Sequence, residues 1–245
     1  ILKKNKIAVS TNIISSEVNN FYRSYIKFKK KKFPFVTCKL AVSKDYYLNN
    51  SKNKNITNHF SRSRAHLLRY NHDCIFSSSS TVLDDNPRFT CRIPGLKESS
   101  PARVILDSGL KIPINYNIIQ LAKKYRTIIF YNKTKQNKIK ILKKMNIKLI
   151  RVPLKSNGEF DLKIILSKVK ILGFSRVLLE SGLKLSNNFF KYKLVDDFYL
   201  FLSNENIKPY GKNNIRNLLN LYVKNKKYEN IKVNLMNDKL IRYKI

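Results

Sequence analysis

The sequence predicts an α/β protein, with a mainly parallel central sheet, helices on both faces and a C-terminal antiparallel hairpin. Three observations predict it. Short apolar runs at residues 74–76, 103–106, 127–130, 149–152, 176–179 and 198–202 alternate with segments of helical period at 138–145, 162–172 and 183–194. Strand–helix–strand crossovers impose that pattern on a parallel sheet covered on both sides. The last alternating segments, 231–236 and 239–243, flank Asn237-Asp238, which reads as a hairpin. Acids also lie at or beside the ends of apolar runs, namely Asp84, Asp85, Asp107, Glu180, Asp196 and Asp197, where a sheet of this type presents its ligand site.

Taken in order, residues 1–32 hold a short apolar run (Ile7, Ala8, Val9), then Ser15, Ser16 and Glu17 opening an amphipathic stretch to Ile26, then the basic run 29–32. This reads as one strand, one helix and a solvated linker, too little to fold alone. A long strand is expected over 35–43, with Val36, Cys38, Leu40 and Val42 on one face and Phe35, Thr37, Lys39 and Ala41 on the other. The Asn-rich segment 45–55 reads as a loop. Thr57 can cap a helix reaching about Tyr70, because Phe60, Leu67 and Leu68 recur near helical spacing. Asp161 is the expected cap, and Gly173 the stop, of the helix over 162–172.

The chain has 245 residues, 43% of them hydrophobic, enough for one large core or two small ones. Lys and Arg total 50 against 15 Asp and Glu, a formal charge of +35, which ordinarily suggests nucleic acid or an anionic membrane. Here the excess is mostly Lys, runs along nearly the whole chain and comes with abundant Asn and Ile. Drift toward AT-rich codons produces that bias without any basic face or motif for a polyanion, so nucleic acid is not the expected partner. Cys38, Cys74 and Cys91 are singletons, and His59, His66 and His72 form no H-x-E or H-E-x-x-H pattern. Neither a zinc site nor a disulfide framework is expected, and unpaired thiols suit a reducing cytoplasm. No apolar stretch approaches the roughly 20 residues that span a bilayer, and no signal-peptide pattern opens the chain. Starting at Ile1 in mid-pattern, it reads as a fragment, or a processed or trimmed chain.

Three places can carry chemistry. In S-S-S-S-T-V-L-D-D-N-P-R-F-T-C-R (residues 77–92) a strand ends in small hydroxyl residues and turns through an acidic pair, and Pro87 forces an extended exit. Asp85 there could accept bonds from ribose hydroxyls or only order the turn. In L-L-E-S-G-L-K-L (178–185) Glu180 stands at a strand end and Gly182 opens a helix whose free N–H groups could hold a phosphate. Alternatively Gly182 only permits a tight turn and Glu180 bonds its amides. In R-V-I-L-D-S (103–108) Asp107 and Ser108 end a buried strand, or Asp107 simply closes a turn.

These segments, together with P-F-V-T-C-K-L-A-V-S-K-D (34–45), I-T-N (56–58), H-L-L-R (66–69), P-A-R-V-I-L-D-S (101–108) and V-D-D-F-Y-L (195–200), resemble the C-terminal reductase domain of the bifunctional riboflavin deaminase-reductase family. The resemblance runs from about Phe33 to the end. It implies a dihydrofolate-reductase-like fold and NADPH-dependent reduction of the ribosyl group of 5-amino-6-(5-phosphoribosylamino)uracil to a ribityl group. It further implies cofactor contacts at Ala41, Asn55, Thr81, Asp85, Ser108, Gly182, Leu183 and Lys184, and substrate contacts at Arg69, Phe89, Arg92 and Glu180. Glu180 and Asp85 are the expected catalytic carboxylates, and Arg69 and Arg92 the expected clamp on the substrate's phosphate. The expected partners are this phosphorylated pyrimidine and a second copy of the chain in a cytoplasmic homodimer. Residues 1–33 resemble the end of the family's deaminase domain without its zinc ligands, and 34–245 the reductase domain.

The chain departs from the family where Asn55 replaces a usual Trp, Asn53 a Ser and Tyr46 a Gly, and where E-S-G-L-K replaces E-G-G-P-T. A degenerate reductase with little activity is therefore the alternative, with a basic RNA-associated protein as a third reading.

Overall fold

The computed structural model describes residues 1–11, 13–52 and 55–245; Asn53 lies outside them. Among these, nine strands form one sheet in the order β10-β11-β8-β1-β7-β3-β4-β5-β6. The strands are β1 (Phe35–Val42), β3 (Cys74–Ser78), β4 (Ala102–Leu106), β5 (Thr127–Tyr131), β6 (Ile147–Arg151), β7 (Arg176–Leu179), β8 (Asp197–Leu202), β10 (Tyr228–Asn230) and β11 (Lys239–Lys244). All neighbours from β8 through β6 are parallel, while β11 runs antiparallel to β8 and β10 antiparallel to β11. A second, two-stranded ribbon pairs β2 (Tyr47–Asn50) with β9 (Gly211–Asn214).

Helices cover both faces, as the alternation predicts. On one face Val36, Cys38, Leu40 and Val42 of β1 pack with Ile165, Leu166 and Val169 of α6 (Leu162–Ile171) and with Phe189 and Phe190 of α7 (Leu183–Lys191). On the other, Ile75, Ile105, Ile129 and Leu178 meet Leu68 of α2 (His59–Tyr70), Val82 of α3 (Ser79–Asp85), Ile118 of α4 (Asn117–Gln120) and Leu142 of α5 (Gln136–Lys144). Each fully buried aliphatic side chain contributes about 1.5–3 kcal/mol, so period-2 burial on both faces of β1 fixes its register firmly. Asp161 caps α6 by accepting from the Lys163 and Ile164 amides, and Gly173 ends that helix's last turn at φ +93°.

Several local expectations are corrected. Residues 7–9 form no strand. The chain there follows a single 3-10 turn (Lys3–Asn5) and enters α1 (Ser15–Lys30), which absorbs half of the basic run expected as linker. Lysines at a helix C-terminus complement its dipole, so the run lengthens the helix. Asn58, not Thr57, caps α2, its side chain accepting from the Ser61 amide. The segment 77–85 is no simple turn: Ser78 caps α3 and Asn86 ends it in the left-handed region. The loop over 45–55 contains β2, and α7 stops at Lys191 rather than near 194.

The hairpin forms with a displaced first strand, Tyr228 opposite Tyr243 and Asn230 opposite Ile241. Ile231 still donates to the Leu240 carbonyl, but beyond it the chain turns to α2: the Leu235 carbonyl accepts from Asn58 Nδ2, and the Asp238 carboxylate accepts from the Asn58 amide and the Ser61 hydroxyl. Asp196 and Asp197 stand at the start of β8, away from the ligand end. There Lys27 of α1 pairs with Asp196 at 2.6 Å, while Arg23 and Arg242 each reach Asp197 at 2.7 Å.

Candidate active site

The carboxyl ends of β1, β7, β3 and β4 open onto two cavities at the place where the chain changes its direction of winding, from β3 outward to β6 on one side and through β1 and β8 on the other. Ligands bind at such a switch point. One cavity, a groove of about 330 Å³, lies between the first turns of α3 and α7. The other, a cleft of about 400 Å³, lies between β1, α2 and the 84–92 segment. Asp84, Ser181, Gly182 and Asn213 line both, so the two are joined through a common wall.

The groove is a hydroxyl and amide surface. Ser78 Oγ meets Ser80 Oγ at 2.8 Å, Thr81 Oγ1 at 3.2 Å and Ser181 Oγ at 3.3 Å. Thr81 Oγ1 also accepts from the Gly182 amide at 3.1 Å. No side chain caps the first turn of α7, which leaves its N–H groups directed at the groove mouth. Ser108, Leu183 and Lys184 line the same space, with Lys184 Nζ 3.1 Å from Glu159 Oε1.

Charge dominates the cleft. Glu180 directly follows β7 and is almost fully buried, and Arg69 of α2 grips it with two parallel bonds, Nε to Oε1 at 2.7 Å and Nη2 to Oε2 at 2.9 Å. Burial alone would push the carboxyl up, but the Arg69 charge, its hydrogen bonds and Lys39 outweigh it and hold Glu180 at about 2. Lys39 lines the cleft from β1, and burial pushes its ammonium down, Glu180 opposing and Arg69 reinforcing the effect. His66 is held at about 4 by burial and by the Arg69 and Arg92 charges, so it is neutral at pH 7. Arg92 stands exposed on the rim, where desolvation and then Arg69 and Arg88 push its guanidinium down. Cations thus outnumber carboxylates around Arg92, as an anion site requires. Phe89 is buried at φ +50°, its ring 6.0 Å from the Arg69 guanidinium.

Every site residue expected from the sequence lines one cavity or the other. Ala41, Asn55, Arg69, Thr81, Asp85, Phe89, Arg92 and Glu180 line the cleft, Ser108, Leu183 and Lys184 the groove, and Gly182 both. One detail differs from expectation. Arg69 is not an open arm of a phosphate clamp, since its fork is taken by Glu180 and its third nitrogen donates to the Thr90 carbonyl at 3.1 Å. Of the two readings its position allowed, Asp107 takes the simpler and closes a turn, accepting from the Lys111 and Ile112 amides. Sequence reasoning missed Lys39 and Asn213 as site residues. Lys39 had a detectable signal, a charged residue in the middle of a strand buried on both faces; Asn213 had none. Among the described residues no group of three or more His, Cys, Asp or Glu could hold a metal, and no helix is long and apolar enough to cross a membrane.

Comparison with known proteins identifies the family and the fold. The RibD C-terminal domain family matches residues 34–203. The riboflavin biosynthesis protein RibD of Actinobacillus pleuropneumoniae is 26% identical over 204 residues, covering 82% of this chain and 54% of that protein. RibD of Buchnera aphidicola subsp. Baizongia pistaciae is 29% identical over 228 residues, covering 86% and 59%. The chain thus spans a little over half the length of these relatives. Among solved structures, Acinetobacter baumannii RibD superposes with a TM-score of 0.79 at 20% identity, over 99% of this chain and 67% of that one. A Thermotoga maritima diaminohydroxyphosphoribosylaminopyrimidine deaminase/5-amino-6-(5-phosphoribosylamino)uracil reductase does so at 0.76 and 21% identity, over 99% and 65%.

Proposed function

Because the chain belongs to the RibD C-terminal domain family, we propose that it reduces the ribosyl group of 5-amino-6-(5-phosphoribosylamino)uracil to the ribityl group with NADPH. The observation that carries this reading is the continuity of a hydroxyl- and amide-lined groove with a charged cleft through one shared wall. One cavity suits a dinucleotide's phosphates and the other a small phosphorylated substrate.

The residues present fit the cofactor. The uncapped first turn of α7 and the Ser78, Ser80, Thr81 and Ser181 hydroxyls form a donor-rich surface for a pyrophosphate. Ser108, Leu183 and Lys184 extend this surface on the groove side, and Ala41, Asn55 and Asp85 on the cleft side. When bound, NADPH supplies the hydride. The chain's own residues then have three tasks. Arg92 anchors the substrate's phosphate, since its guanidinium stands open on the rim. Arg69 holds Glu180 ionised and fixed in orientation, so that the carboxylate can bond a sugar hydroxyl or the uracil ring. Lys39, whose ammonium burial destabilises, is the proton donor that balances hydride addition. Phe89 packs against the substrate, and aligning the reactants is the fold's main contribution.

The same reading divides the chain at residues 33 and 34 and takes it to act as a homodimer. Its test is NADPH titration by nicotinamide fluorescence, followed by NADPH oxidation with freshly deaminated substrate. Saturable NADPH binding, tighter than NADH, and substrate-dependent oxidation are expected. Binding without turnover would favour a degenerate reductase, and absence of binding at millimolar cofactor would remove the oxidoreductase reading.

A further inference from the structure

We propose that Asn213 contacts the middle of a dinucleotide that occupies both cavities, and that the β2–β9 ribbon exists to carry it there. This rests on the reading of the site as a cofactor groove joined to a substrate cleft. Of the residues lining both cavities, Asp84 comes from the end of α3 and Ser181 and Gly182 from the link between β7 and α7, inside the main sheet's own crossovers. Asn213 alone of the four arrives from outside that sheet. Each cavity is near the lower size limit for small-molecule sites, roughly 300 Å³, so a ligand as long as a dinucleotide must cross the wall between them, and Asn213 stands at the crossing.

The ribbon is held firmly at both ends. The Asp45 carboxylate accepts from the Ile207 and Lys208 amides, both at 3.1 Å, and the Asp45 carbonyl accepts from Asn214 Nδ2 at 3.0 Å. The Ile215 amide donates to the Tyr46 carbonyl at 2.9 Å, and the Ser51 amide to the Tyr210 carbonyl at 3.1 Å. Next to the Asn214 anchor, Asn213 adopts φ +59°, a left-handed conformation that Asn accepts more readily than most residues. Its Nδ2 donates to Asn49 Oδ1 at 2.9 Å across the ribbon. That bond fixes the amide plane and leaves one N–H and the Oδ1 for a ribose hydroxyl or a phosphate oxygen. Gly211 provides a lever on the arm, because a Cβ there would fall 2.4 Å from Tyr47 Cγ and force that ring to shift.

The experiment compares NADPH, which spans both cavities, with 2′,5′-ADP, which carries only the adenosine half, using fluorescence and calorimetric titration and melting temperature. Asn213→Ala should weaken NADPH about fivefold, the loss of one ordinary hydrogen bond, and 2′,5′-ADP by clearly less. Asn49→Ala should move NADPH in the same direction by a smaller factor, and Gly211→Ala should also weaken NADPH. Asn213→Ala and Asn49→Ala should leave the melting temperature near that of the wild type, since both side chains are exposed. Unchanged NADPH affinity in Asn213→Ala, or equal losses for NADPH and 2′,5′-ADP, overturns the inference while the cofactor reading stands. A wild-type chain that fails to bind NADPH overturns both.

Discussion

In the groove the polar lining is mainly hydroxyls that bond to one another, Ser78, Ser80 and Ser181, together with the open helix amides of α7. In the cleft, across the shared wall, it is built around a buried carboxylate clasped by a guanidinium, with Lys39 and Arg92 beside it. Hydroxyls rotate and exchange partners at little cost, so the first surface can meet an incoming phosphate by turning protons outward. The second cannot relax in that way, because separating a buried ion pair strands a charge. The difference teaches which departures from the family the site can absorb. Leu183 and Lys184 differ in the groove, where the helix amides remain whatever the side chain, and Asn55 differs in the cleft, where the Arg69–Glu180 pair nevertheless stands intact.

The largest break in this comparison is Glu180→Gln, which leaves the buried Arg69 charge without its counter-ion and beside other cations. A loss of about 3–5 kcal/mol is expected, read by urea unfolding, together with loss of turnover. Ser80→Ala in the groove should cost far less, and equal losses would show that the two regions are not built differently.

Next in size is the response to pH. Burial holds His72 at about 4, between the Leu68 carbonyl and the Thr37 hydroxyl, and His66 also lies at about 4. The unfolded chain takes up these protons near the ordinary 6.5 while the folded chain refuses them until about 4. Stability from this source is therefore full above about pH 6.5 and is lost as pH falls toward 4. Between pH 7 and pH 5 the fall should be on the order of 2 kcal/mol per buried imidazole, and His72→Gln should flatten the profile measured by denaturant titration.

Arg92→Lys sharpens the contrast within ligand binding. It keeps the charge but loses the planar fork, so substrate binding should weaken by about 1–3 kcal/mol while NADPH affinity barely moves. Asp85→Ala should do the reverse. If Arg92→Lys lowers NADPH affinity as much as substrate affinity, the cleft is not a separate substrate site. The smallest effect belongs to Lys184→Ala. Its bond to Glu159 is largely exposed, so stability should change by less than about 0.5 kcal/mol, whereas NADPH affinity should fall in low salt and recover its wild-type value as salt rises.

Much of this was legible in the sequence, for physical reasons that particular elements make clear. The strand β1 announced itself because alternate residues enter the same core, and α6 because Asp161 and Gly173 act on their own neighbours. What could not be read depends on pairing across long stretches of chain. The β2 strand is polar, and it exists only because residues over 160 positions later, Gly211 to Asn214, bond to it. The first hairpin strand slid because Asn58 and Ser61 compete for the carbonyl and carboxylate groups at 235 and 238. In the site, Glu180, Gly182 and Arg92 were visible as strand-end and turn residues, while the sharing of Glu180 with Arg69 needed the packing of α2 against β7.

Cys38, Cys74 and Cys91 are 0%, 0% and 1% exposed, and burial pushes the Cys38 thiol up to about 12 and Cys74 well above its usual value. With the thiolate as the reactive form, β1 and β3 carry alkylation targets that stay silent while the sheet is closed. The rate at which iodoacetamide labels the protein then counts openings of its centre, and any ligand that binds only the closed form must slow that count in proportion to its occupancy. The molecule thereby contains a clock against which each proposed ligand can be timed without attaching any probe.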